Sequence, residues 1–69
     1  MIHLTWTHLL NDVNDYVCWV GEYFCHVWLL NNEWAWTVMN FNGKLENGYA
    51  SSFELAEVRV TEILDELAA

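Results

Sequence analysis

From Tyr16 to Ala50 the chain is built of short runs rich in Val, Trp, Tyr and Phe, interrupted at Gly21-Glu22, Asn31-Asn32 and Asn42-Gly43. Runs of this kind between Gly and Asn pairs predict antiparallel strands joined by tight turns. The pattern gives a four-stranded meander. A further alternating run over Ile2–His8 sets Ile2, Leu4 and Trp6 against His3, Thr5 and Thr7 and predicts a first strand, whose place in the sheet the pattern leaves open.

The plainest hairpin joins Trp34–Phe41 to Lys44–Ala50 through Asn42-Gly43, because a type I′ turn needs positive φ at both central residues and Asn-Gly accommodates that best. Counting outward from that turn sets Trp36 opposite Tyr49 and Val38 opposite Asn47, with Trp34 and Leu45 on the same face. Thr37, Lys44 and Glu46 fall on the other, so the Trp face is the expected core.

Around Gly21-Glu22, Val20 meets Tyr23, Trp19 meets Phe24 and Cys18 meets Cys25. One face of this hairpin carries Tyr16, Cys18, Val20, Tyr23, Cys25, Val27 and Leu29; the other carries Val17, Trp19, Phe24, His26, Trp28 and Leu30. Both faces are apolar, yet one helix covers only one of them. A two-residue turn at Asn31-Asn32 pairs Leu29 with Trp34 and Val27 with Trp36, and sends Trp19, Phe24, Trp28, Met39 and Phe41 outward. A three-residue turn that includes Glu33 exchanges the two sets, since a one-residue slip swaps the faces of a strand.

The period changes after Ala50. Ser51 and Glu54 have the spacing of a capping box, and from about Ser52 to Leu67 the apolar residues Phe53, Ala56, Val60, Ile63, Leu64 and Leu67 share one helical arc. The remaining surface carries Glu54, Glu57, Glu62, Asp65 and Glu66, interrupted by Leu55, Val58 and Arg59. No proline, linker or internal repeat divides the chain. The expected architecture is a single α+β domain over residues 1–69, an antiparallel β-meander of four to five strands with one C-terminal helix packed on one face.

Composition narrows the function classes. A hydrophobic fraction of 55% with five Trp is too apolar for a disordered acidic tail, while 69 residues allow one thin core. Ten acidic residues against Lys44 and Arg59 leave a net charge of −8. That charge repels nucleic acid, and its natural counterpart is a basic protein surface such as the nucleic-acid groove of another protein. The N-terminal residues lack the basic and apolar stretches of a secretory signal, and no run approaches the roughly 18 apolar residues of a membrane span. A cytoplasmic protein that touches neither membrane nor nucleic acid directly is expected.

Two surfaces follow as candidate sites. The first is the helix row Glu54, Glu57, Glu62, Asp65 and Glu66, whose carboxylates three or four positions apart lie about 5–6 Å from one another, close to the spacing of successive phosphates. Such a row either mimics a phosphate backbone or simply solvates an exposed face. The second is the apolar set Trp19, Phe24, Trp28, Met39 and Phe41, which marks a homodimer or partner interface unless the N-terminal strand and the Leu9–Asp15 segment fold over it.

Other chemistry finds little support in the residue pattern. Cys18 and Cys25 are cross-strand neighbours at a hydrogen-bonded pair, a poor geometry for a bridge, so buried thiols are expected. Cys25 and His26 point to opposite faces and His3 and His8 lack ligand spacing, which argues against zinc. His26 opposite Thr37 reads as a polar pair on the surface or at an interface. With no Gly-rich phosphate loop, nucleophile elbow or Cys-x-x-Cys, neither an enzyme nor a cofactor is expected.

The stretch Trp34-Ala35-Trp36-Thr37-Val38, then Asn42-Gly43, then Gly48-Tyr49-Ala50-Ser51-Ser52 leading into a helix, resembles a strand-turn-strand-helix pattern in small acidic accessory proteins of bacteriophages and prophages. Some of these are anti-CRISPR or anti-restriction inhibitors. The resemblance covers about half of the chain and implies an inhibitor in the host cytoplasm that acts as a DNA mimic, its acidic surface blocking a nucleic-acid-handling defence protein. It assigns no individual residue.

Overall fold

A computed structural model describes residues 4–8 and 14–68, with the side chains of all of these except Lys44, Leu45 and Ala68. Five strands and one helix follow in order: β1 Thr7–His8, β2 Asp15–Val20, β3 Tyr23–Leu30, β4 Glu33–Asn40, β5 Gly43–Ala50 and α1 Phe53–Ala68. The strands form one antiparallel sheet in the order β1-β2-β3-β4-β5, and α1 packs on one side of it through contacts with β3, β4 and β5. The fold is α+β with a meander. Of the expected first strand, Thr7 and His8 pair with Val17 and Tyr16 at the edge of the sheet, Leu4 to Trp6 precede the strand, and Ile2 and His3 lie outside the described residues.

The turn at Asn31-Asn32 decides which face is core. Both residues have positive φ, 52° and 66°, the backbone of a two-residue type I′ turn, which Asn tolerates better than other side chains. Leu29 therefore faces Trp34 and Val27 faces Trp36, and the three-residue alternative is excluded. Cys18, Cys25, Val27, Trp36 and Val38 are buried against Ala56, Val60, Ile63 and Leu64 of the helix. Leu4, Trp6, Val20, Tyr23, Trp34 and Phe53 pack around this cluster.

The last hairpin differs from expectation. Its tip is Phe41-Asn42, Asn40 faces Gly43, and the ladder shifts by one residue between Val38 and Met39. Neither tip residue has positive φ; Gly43 takes the left-handed region instead, at φ 125°, and the Asn40 side chain accepts a hydrogen bond from the Asn42 amide at 2.8 Å. The shift places Trp36 opposite Gly48, Ala35 opposite Tyr49, and Val38 opposite Glu46. Tyr49 thus lies on the outer face, not beside Trp36. The expected placements of the Lys44 and Leu45 side chains fall outside the described residues.

The helix also starts one position later than the capping-box spacing predicts. The Ser52 hydroxyl, not that of Ser51, accepts from the Leu55 amide at 3.1 Å, and the Ser52 carbonyl accepts from the Ala56 amide. Glu54 closes no box; it sits in the first turn, where the positive end of the helix dipole favours a carboxylate. At the other end Leu67 is 40% exposed, so the packed arc ends at Leu64 although the apolar period in the sequence continues.

Candidate functional site

The five acidic residues expected to form one row do not act alike. Glu54, Glu62, Asp65 and Glu66 are exposed on the outer side of α1. Glu57 is half-buried, and its Oε2 accepts a hydrogen bond from the Trp6 indole at 2.6 Å, tying the N-terminal segment to the helix. Trp6 also meets Phe53 edge-on at 5.7 Å, and Tyr16 and Trp34 complete an aromatic ring cluster around Phe53. Glu57 thus also holds the fold together. Glu62 receives Arg59 Nη1 at 2.6 Å, an exposed i,i+3 pair of small energetic weight.

Three of the four exposed carboxylates cluster toward the C-terminal end, where Glu62, Asp65 and Glu66 border an open depression with Arg59. No basic residue occupies the last turn of α1. Carboxylates there face the negative end of the helix dipole, an arrangement that works against helix stability. Leu55 and Val58 are exposed on the same helix, so the surface mixes acidic and apolar positions.

On the far side of the sheet, Trp19 and Phe41 stand out, 65% and 86% exposed. Phe24, Trp28 and Met39 are half-buried because the residues on this face pack on one another: Trp19 lies 4.6 Å from Phe24, and His26 stacks on Trp28 at 4.4 Å. Trp19, Phe24, Met39 and Phe41 line a groove of about 250 Å³, with Glu22 at its rim. Leu4 and Trp6 pack on the helix side, so residues 4–8 do not provide the alternative of a cover over this face, and residues 9–13 lie outside the described residues.

Two features of this face escaped the sequence reading. Asp15 begins β2 opposite Trp28, diagonal to His26, and its carboxylate pairs with His26 Nε2. The β2–β3 register already read from Gly21-Glu22 contains that contact if counted three positions further, from Cys18 opposite Cys25 to Asp15 opposite Trp28. Thr37 does lie opposite His26, but its hydroxyl donates to the Glu46 carbonyl at 3.2 Å, so the expected His26–Thr37 pair is replaced by His26–Asp15. Tyr49 reaches this face only through the ladder shift in β5, which nothing in the spacing announces.

Cys18 and Cys25 face each other across β2 and β3 as buried, free thiols. Burial pushes the Cys25 thiol up to about 12, with the neighbouring Cys18 adding to the effect. Burial also raises Cys18, against a hydrogen bond from the Thr5 backbone that lowers it, and the Glu57 carboxylate adds to the rise. Thiols held protonated in this way are poor nucleophiles and poor metal ligands. Among the described residues no three His, Cys, Asp or Glu side chains converge as a metal site, and no helix is long and apolar enough to cross a membrane.

These observations define a small α+β domain with two chemically different surfaces on opposite sides, an acidic helix and an aromatic sheet face. No family model, curated protein or solved structure matches the chain.

Proposed function

We propose that the chain is a binding protein that blocks a nucleic-acid-handling protein, laying the outer side of α1 into that partner's basic groove. One observation carries this reading: Asp65 and Glu66 are exposed in a last helical turn that has no basic residue. Helix stability disfavours carboxylates at that end, and a net charge of −8 stands at the upper end of what solubility asks of so small a domain. Together with Glu62 and Glu54 they offer negative charge to Lys and Arg side chains that otherwise hold phosphates. Exposed Leu55 and Val58 add apolar contact between them. The resemblance to phage inhibitors makes a host defence nuclease or restriction subunit the partner to look for.

The test is capture of partners from a host lysate on the full chain, followed by competition with nucleic acid. Elution of a nucleic-acid-binding protein by added DNA or RNA is the expected result. A captured partner that nucleic acid does not displace contradicts the reading.

A further inference from the structure

The aromatic sheet face calls for an occupant independently of what the helix binds. It spans β2 to β5, strands of six to eight residues. At about 3.3 Å per residue and 4.8 Å between strands, its flat footprint is roughly 400–500 Å². The largest apolar patch on a monomeric protein is typically about 300–600 Å², and such a patch is often a functional surface. Two such footprints bury roughly 800–1,000 Å² before side-chain relief is counted, below the roughly 1,200–2,000 Å² of standard interfaces and in the range of small, weak ones.

We infer that this face is covered by the same face of a second copy of the chain, in a two-fold sheet-to-sheet dimer. Charge selects this geometry. Each copy carries −8, and most contacts between two such chains set carboxylates against carboxylates. Packed face to face, the sheets lie about 10 Å apart and each acidic helix sits about 10 Å behind its own sheet, so the two helices are about 30 Å apart. That exceeds three Debye lengths at physiological salt, and the repulsion between them is screened. On the face itself Asp15 is paired with His26, and the exposed Glu22 stands at the rim, beside the Gly21-Glu22 turn.

The relief of the face is self-complementary. Trp19 and Phe41 project beside the Gly21-Glu22 and Phe41-Asn42 turns, both at one end of the sheet. Toward the other end, Trp28, Ala35, Thr37, Asn47 and Tyr49 line a groove of about 320 Å³, with the small, buried Ala35 side chain between the two aromatic residues. A two-fold axis in the plane between the sheets and across the strands brings the projecting end of each copy onto the grooved end of the other. Phe41 then meets the groove beside Tyr49, twice. The free edge of β5 is a poorer site for a second copy, because its ladder shift and the exposed Glu46 interrupt the row of backbone groups that strand addition needs.

Sedimentation equilibrium of the full chain reads the assembly directly. The expected result is a species of twice 8.1 kDa at micromolar concentration, undiminished by added salt. Phe41→Asp and Tyr49→Lys change exposed side chains and should keep the parent's circular dichroism, yet each alone should weaken dimerisation at least tenfold, the loss of about 1.4 kcal/mol. Mixing the two variants should restore a heterodimer. The carboxylate introduced in one copy then meets the amine introduced in the other, while the second pair of sites keeps Phe41 against Tyr49. A parent that stays monomeric at about 100 μM, far above a micromolar dissociation constant, overturns the inference. So does a mixture no more dimeric than its components. Neither result bears on the helix, which is tested by its own carboxylates.

Discussion

The indole of Trp36 lies so close to Gly48 on the neighbouring strand that a Cβ added there would sit 2.7 Å from Cζ2 and 3.0 Å from Cε2. Trp36 is 4% exposed and confined by the helix, with the Arg59 guanidinium 5.9 Å from its ring centre, so the ring has little room to withdraw. Gly48→Ala should therefore cost about 1–3 kcal/mol, as overpacking of a filled core does. Urea unfolding measures it. Trp36→Phe in the same chain should remove much of that increment, and a fully additive double variant would show that the close approach is not the cause.

The packed arc of the helix ends at Leu64. Leu64 is fully buried, and Leu64→Ala should cost about 2–5 kcal/mol. Leu67→Ala should cost less than about 1 kcal/mol, within the range of exposed positions. Denaturation midpoints of the two variants, compared at equal slope, give the answer. Equal losses would mean that the last turn is docked as firmly as the rest.

Most of this framework was legible in the residue pattern. The turns at Gly21-Glu22 and Asn31-Asn32 fix three strands in register because each leaves two residues between paired positions, and the helical period of Ala56, Val60, Ile63 and Leu64 marks the covering face. The β5 register was not legible. Asn42-Gly43 is a strong turn signal, but the same two residues also serve one position along, with Gly43 at the flank and a shift in the ladder; local spacing does not separate these choices. The acidic row was legible as sequence only. That Glu57 serves Trp6, 51 positions away, depends on how the N-terminal segment crosses the helix side, and no periodicity records such a contact.

That contact divides the carboxylates by role. Trp6→Phe removes the indole donor and should destabilise the domain by about 1.5–3 kcal/mol, the scale of a hydrogen bond to a charged group. Glu54→Gln, which removes a charge from the first turn, should cost only about 0.3–1 kcal/mol. Thermal unfolding of the two variants distinguishes them. A Trp6→Phe domain as stable as the parent would return Glu57 to the exposed set.

The buried thiols predict an alkaline limit to stability. Cys25 keeps its proton in the folded state up to about 12, whereas an ordinary thiol releases it at 9.0. Between these values the unfolded state binds fewer protons, so stability is unaffected by this group below about pH 9 and falls as pH rises above it. Cys25→Ala should lose less stability across that window than the parent, followed by denaturant midpoints. Iodoacetamide at about pH 8 should label both thiols only after unfolding. Rapid labelling of the native chain would mean that the pocket between sheet and helix opens.

If the exposed carboxylates of α1 hold a basic partner, neutralising them together while sparing Glu57 must loosen that partner. Glu54→Gln, Glu62→Gln, Asp65→Asn and Glu66→Gln in one chain should leave the fold intact, since all four side chains are exposed. Individual exposed pairs contribute only about 0.2–1 kcal/mol, so the combined variant is the fair measure. Titration of the captured partner at low salt should show binding weakened at least tenfold relative to the parent, with the difference shrinking as salt is raised. Equal affinity of the two chains at low salt would contradict the claim.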